Sequence, residues 1–521
     1  MPLFEKVHSF FHNFLKNHEI SRVFAENCLW KTIDFIVSDL PEKNNLAYVM
    51  EIGYTDGIAK KGDKMDQKQK GLRNMTEGSP AGHILWFALP LLLGSFLQQL
   101  YNMVDSFVVG NFVGDSALAA VGVGFPVIFM FSSLFMGMSN GCTVVIAQNY
   151  GAGQMQRVRD AVDTAYTAFV WSAVPVTAAS LLLVKPILFL LRVDSRCYHD
   201  AWVYLMVVCA GLIGTIGYNL NAGILNGLGN SRTTLLFLAI ASVLNIILDL
   251  TLVLWCHLDV LGVAIGTIVS QAFSWVFGVC YINRHYPQIA IHPFNRKFDR
   301  ALFKQIMTIG LPAGIQMSLI AVGSMVVMSK VNTFGQEFTA GFNVGNKLDS
   351  LAFLPAQSLA AAVTAYVGQN VGAKKWERVR AGIRIAVVLS GAWSLLMTAL
   401  LMPFGENLMK VFSSSPGVIR SGAVYLHCIM PFYILFVTMF TLNAAMRGAG
   451  DSLFPMINVV LSLILVRVPA LYLLANHMGS DYMYYGYGIG WVLGFAITGI
   501  YYLTGRWKRY GLLTEKPRTA E

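Results

Sequence analysis

The chain has 521 residues, of which 55% are hydrophobic and only 13% charged, with a mean hydropathy of +0.56 and a net charge of +10. A soluble fold of that composition would carry far more apolar surface than it can bury, so the chain reads as an integral membrane protein. The positive balance calls for no nucleic-acid partner, because the basic residues gather in the short loops between apolar runs.

Residues 1–80 read as an N-terminal cytoplasmic extension and linker. An amphipathic stretch from Leu3 to Leu15 suits a membrane surface, and a Lys/Asp/Gln-rich segment follows at 60–74. No apolar segment with a small-residue cleavage site marks a secretory signal, and Met75 offers an alternative start. Twelve apolar runs follow, each near or above the ~20 residues that cross a bilayer. Six lie near 83–109, 117–148, 160–191, 200–226, 232–255 and 261–283, and six near 303–330, 338–369, 381–411, 419–446, 453–475 and 484–505. Because the runs are continuous and not alternating, they predict helices and not barrel strands.

The two sets are copies. Gln148-Asn149-Tyr150-Gly151-Ala152 with Arg157-Val158-Arg159 returns as Gln369-Asn370-Val371-Gly372-Ala373 with Arg378-Val379-Arg380, at an offset of 369 − 148 = 221. Gly227-Leu228-Gly229-Asn230 recurs at the same offset as Gly448-Ala449-Gly450-Asp451, and Leu89-Pro90 recurs one residue later as Leu311-Pro312. The expected fold is therefore an all-α membrane protein of twelve transmembrane helices in two six-helix lobes. An even number of spans makes the lobes parallel repeats, related by a pseudo-two-fold axis along the membrane normal. The boundaries are an N-lobe at 81–285, an inter-lobe loop at 286–300, a C-lobe at 301–510 and a tail at 511–521. Every second loop is basic (Arg157/Arg159, Arg232, Arg296/Lys297/Arg300, Lys374/Lys375/Arg378, Arg447, Arg506/Lys508/Arg509), whereas 110–116, 256–260, 332–337 and 476–483 hold no Lys or Arg. The basic loops and both termini are expected in the cytoplasm of a plasma-membrane protein. The Gln-Asn-x-Gly-Ala motifs are expected to terminate helices.

Seven cysteines without a C-x-x-C pair are expected to be small buried residues, as at Cys142, Cys209, Cys280 and Cys428, and no metal site or cofactor is expected. No His-Glu-x-x-His and no nucleotide-binding loop supports an enzyme or self-contained ATP driving. Ionisable groups inside spans cost several kcal/mol and are functional candidates. Asp105 and Asp249 stand out, with Asn245 one helical turn before Asp249 on the same face. At ~1.5 Å per residue, Asp105, Asp249 and Thr267 all fall in the outer half of the membrane. Such a carboxylate pair suits holding a proton or coordinating a small hard cation. Lys347, Asp349 and Arg467 are candidates for a C-lobe polar network or a cavity role, and Lys330 reads as a snorkelling helix-end lysine.

Leu89-Pro90, Gln98-Gln99-Leu100-Tyr101-Asn102-Met103-Val104-Asp105, Leu118-Ala119-Ala120-Val121-Gly122 and the duplicated loop motifs resemble the MATE family of multidrug and toxic-compound extrusion transporters over about residues 80–510. The resemblance implies two lobes in a V around a central cavity, alternating access, and export of organic cations or amphipathic drugs in exchange for H⁺ or Na⁺, with small-molecule and lipid partners and a monomeric state. Its DinF-like branch implies a coupling site at Asp105, Asn219, Asn245, Asp249 and Thr267, with Pro90 as a conformational switch. The NorM-like branch uses C-lobe carboxylates, and Gln316-Met317-Ser318-Leu319-Ile320-Ala321 has none. A lipid-linked saccharide flippase of the same superfamily is the alternative reading.

Overall fold

Ser79 caps the first long helix through its side chain, and Pro80 enters at the first helical position, where no backbone donor is lost. The computed structural model describes residues 72–191, 193, 195–292 and 297–511, within one compact unit, Gln69–Glu521. The amphipathic stretch, the linker up to residue 71, Arg296 and the tail beyond 511 lie outside the described residues.

The N-lobe comprises α1 (Pro80–Val113), α2 (Asp115–Gly151), α3 (Met155–Leu190), α4 (Ser195–Ala210 and Leu212–Gly227), α5 (Ser231–Leu254) and α6 (Asp259–His285). The C-lobe comprises α7 (Arg300–Asn332), α8 (Gln336–Gly372), α9 (Trp376–Phe412), α10 (Pro416–Gly448), α11 (Leu453–His477) and α12 (Ser480–Thr504). Among the described residues, eleven of these helices are individually long and apolar enough to span a bilayer, and α4 makes the twelfth as a pair bent by 48°. The sequence predicts this span as continuous over 200–226. The break falls at Gly211, whose added Cβ would stand 2.3 Å from Ile268 of α6, so the helix yields where it packs closest. At the equivalent place in α10, a 3₁₀ turn at Met430–Phe432 contains Pro431. The repeat is closest in α2 and α8, since 115 + 221 = 336 and 151 + 221 = 372 reproduce both ends of the helix.

The two lobes meet through α2 against α7 and α8, and α1 against α8. Along α2 and α7 the backbones touch: a Cβ on Gly137 would lie 2.4 Å from the Gly310 carbonyl oxygen, and one on Gly141 would lie 2.3 Å from that of Ile306. Ser133 and Ser318 close this seam with hydroxyls 2.5 Å apart. At the end carrying the basic loops, α2 and α8 terminate at Gly151 and Gly372, as the motifs predict. Their glutamines do more than that. Gln148 Nε2 donates to the Gly448 carbonyl (3.0 Å) and Gln369 Nε2 donates to that of Gly227 (3.1 Å), each reaching the opposite lobe. Gly229 and Gly450, at φ +81° and +106°, make the turns that bring these carbonyls within reach. Met75 N–H donates to Gln369 Oε1 (2.8 Å) and Arg73 N–H to the Leu228 carbonyl (3.2 Å), so residues 73–75 bridge both lobes at the same end.

Cys142, Cys197, Cys209 and Cys428 are buried, but Cys256 and Cys280 are exposed. The expected burial of Cys280 is thus corrected. It lies on a face of α6 with exposed Phe273 and Val276, apolar residues that a surrounding lipid phase accommodates.

Candidate functional site

Asp249 is fully buried in α5, and Asn245 Nδ2 donates to its Oδ1 at 3.2 Å, as the one-turn spacing predicts. Gly266 of α6 admits this carboxylate, since a Cβ there would stand 2.1 Å from Asp249 Oδ1. From α1, the Asp105 carboxyl comes within hydrogen-bonding range of that of Asp249. Asp105 Oδ1, Asp249 Oδ2 and Asn245 Oδ1 are buried without a hydrogen-bond partner among the described residues. Three oxygens left open in one buried spot form an acceptor set suited to a proton shared between carboxylates or to a small hard cation.

Two aromatic residues complete the surroundings. Tyr101, one turn before Asp105, and Tyr204 of α4 both lie within electrostatic reach of the two carboxyls. Tyr204 reaches inward across Gly124 of α2, whose Cβ would meet its ring at 2.7 Å. The i,i+4 spacing to Asp105 was a usable signal for Tyr101, whereas nothing in the local sequence around Tyr204 marks it.

The structure therefore brings together Asp105, Asn245 and Asp249. Asn219 lies in α4 with its amide donating to the Thr215 carbonyl at 2.8 Å, and Thr267 follows Gly266 with its hydroxyl bonded to the Val263 carbonyl at 3.0 Å. Both bonds run to the residue's own helix, and neither side chain bonds to either carboxylate among the described residues. Pro90 is buried in α1, beside Phe87 and Ala88, which pack in one cluster with Leu359 and Val363 of α8. It sits where α1 meets the other lobe.

In the C-lobe, Asp349 of α8 accepts a hydrogen bond from the Tyr425 hydroxyl at 3.2 Å and has the Tyr433 hydroxyl beside it. Arg467 is buried on α11, with its guanidinium 4.7 Å from the ring centre of Tyr487. A π-helical stretch at Val460–Val466 precedes it. Asp349 and Arg467 thus join one tyrosine-rich cluster. Lys347 does not, because it is exposed on another face of α8. Lys330 donates to Asn476 Oδ1 at 2.8 Å between the rings of Phe334 and Tyr472.

Comparison with known proteins matches this architecture. The MatE family profile fits residues 90–251 and again 312–473, one copy in each lobe, 312 − 90 = 222 residues apart. The "Probable multidrug resistance protein YpnP" of Bacillus subtilis is 29% identical over 85% of this chain and 99% of its own length, and the "Probable multidrug resistance protein NorM" of Thermotoga maritima is 25% identical over 83% and 94%. A solved structure described as the outward-facing conformation of a multidrug resistance MATE family transporter superposes with a TM-score of 0.77 at 23% identity, covering 85% of this chain and 98% of that one. With two family-matching halves folded into two six-helix lobes, the chain belongs to the MATE family of membrane transporters and is not an enzyme.

Proposed function

We propose that the chain exports organic cations or amphipathic drugs by alternating access, in antiport with H⁺ or Na⁺, and that the ion is taken up at Asp105 and Asp249 in the N-lobe. The observation that carries this reading is the pair of adjoining carboxyls from α1 and α5, buried with open oxygens beside Asn245. Asn219 and Thr267 would join the site only after a change of side-chain rotamer, and Pro90, through its missing backbone donor, permits a bend in α1. Filling the site neutralises charge buried between α1, α5 and α6, and so biases one access state over the other. The positive-inside pattern supports placing the basic, sealed end in the cytoplasm of a plasma membrane, with both termini on that side, and hence reading this conformation as one that opens outward. The chain is read as a monomer, because each copy contains both lobes.

The deciding experiment loads vesicles with a fluorescent organic cation and imposes pH and Na⁺ gradients separately. Efflux should follow one of the two gradients, and Asp249→Asn should abolish it while the protein still inserts and elutes as a single species. Normal gradient-driven efflux by that variant would overturn the N-lobe assignment.

A further inference from the structure

Lys347 lies eleven residues into α8 (347 − 336), roughly 16 Å from the charge-poor end of the helix. It is exposed, and so are Asn343, Asn346, Ser350 and Gln357, which share its face at offsets of −4, −1, +3 and +10. A face with four amides or hydroxyls and an ammonium cannot rest in hydrocarbon at that depth. Helix α8 packs against α1 and α2 of the other lobe, so a polar face that lipid does not accommodate is assigned to the space between the lobes. Asp349 does not neutralise the lysine. Two residues on, it is turned by about 200° around the helix and engaged by Tyr425.

The duplication supplies the second observation. Helices α2 and α8 have the same length and register, so the counterparts of these five positions are Gly122, Phe125, Pro126, Phe129 and Met136. All five are exposed or half-buried, Phe125 to 62%. The same helix face, copied across the pseudo-two-fold axis, is apolar and aromatic on one wall and amide-lined and cationic on the other.

We propose that Lys347, with Asn343, Asn346 and Ser350, forms a carboxylate subsite in the central cleft, for an amphipathic substrate whose apolar body lies on the α2 wall. One ammonium flanked by neutral donors matches a single negative charge, which selects a carboxylate over a dianionic phosphate. The α2 face supplies flat apolar contact for an aromatic body. This deepens the proposed function and rests on its reading of the cleft as the substrate path, but not on the identity of the coupling ion.

The test uses the full chain, purified in a neutral detergent, with two dyes that share one xanthylium body: a rhodamine ethyl ester and its free acid. Fluorescence anisotropy should show the acid binding about tenfold more tightly than the ester, as one charge-assisted contact provides. High salt should narrow that gap. Lys347→Gln should remove it while leaving ester affinity within about twofold, and Lys347→Arg should preserve it. Equal affinity for the two dyes in the unsubstituted protein, binding of neither dye, or an equal loss of both in Lys347→Gln would overturn the proposal. If the variant fails to fold, the unsubstituted protein alone still decides: a gap between the dyes that high salt leaves unchanged would overturn the proposal as well. Because binding is read without a gradient, failure of antiport in vesicles leaves this result standing, and the reverse also holds.

Discussion

Gln369 couples the two lobes at the basic end through two hydrogen bonds, one accepted from Met75 N–H and one donated to the Gly227 carbonyl. Replacing it by leucine keeps most of the side-chain volume but leaves both backbone groups without this partner. At about 1 kcal/mol net per neutral hydrogen bond, the sealed conformation loses ~2 kcal/mol, or about thirtyfold in its ratio to any state in which the lobes part at this end. A resting ratio of about 99:1 would fall to about 3:1. The change can be read by spin labels at Gln156→Cys and Glu377→Cys, equivalent exposed positions just beyond the two sealing loops, with Cys28, Cys256 and Cys280 replaced by serine. The unsubstituted background should give one dominant distance, and Gln369→Leu should add a second, longer one holding about a quarter of the population. An unchanged distribution in a folded Gln369→Leu protein would refute the idea that these bonds hold the gate.

Two further substitutions probe the two polar clusters. Gly266→Ala places a methyl where Asp249 Oδ1 now sits, so gradient-driven efflux should fall by at least tenfold with little change in expression, as measured in vesicles. Tyr425→Phe withdraws the hydroxyl from Asp349 and should cost about 1–3 kcal/mol of stability, seen as a lower melting temperature in detergent, while the ion dependence of efflux is preserved.

The two-lobe architecture is legible in the sequence because apolar runs and the 221-residue offset are properties of the chain itself. The pair Asn245/Asp249 is equally legible, since the relation lies within one helix turn. Asp105 is marked by its cost inside a span, but its adjacency to Asp249 depends on how α1 packs on α5. Gly266 and Tyr204 carry no local signal for the same reason: what matters about them is the gap one leaves and the distance the other crosses between helices. Gln148 and Gln369 read as parts of helix-ending motifs, and only the packed lobes show that each caps a carbonyl of the opposite one. Lys347 and Asp349 group together by closeness in sequence, although two residues along a helix separates them onto different faces.

The copied scaffold also carries unequal seams, and this bears on how the lobes move. On α7, Gly310 and Gly314 receive the backbone of α2 at Gly137 and Gly141. With Pro90 aligned on Pro312, their counterparts on α1 are Ala88 and Leu92, and those of Gly137 and Gly141 on α8 are Ser358 and Ala362. Side chains therefore separate α1 from α8 where glycines let α2 and α7 touch. Parting the glycine seam forfeits close backbone packing along its length, whereas the α1/α8 seam, which contains Pro90, has less to lose. The lobes should rock about α2/α7 and open along α1/α8. Ser133→Cys with Ser318→Cys tests this directly, because the native hydroxyls already stand 2.5 Å apart and a disulfide needs little adjustment. If the seam is a fulcrum, the oxidised pair should retain at least half of the efflux rate of the reduced pair. Arrest on oxidation with recovery on reduction would show that this seam, too, must open in each cycle.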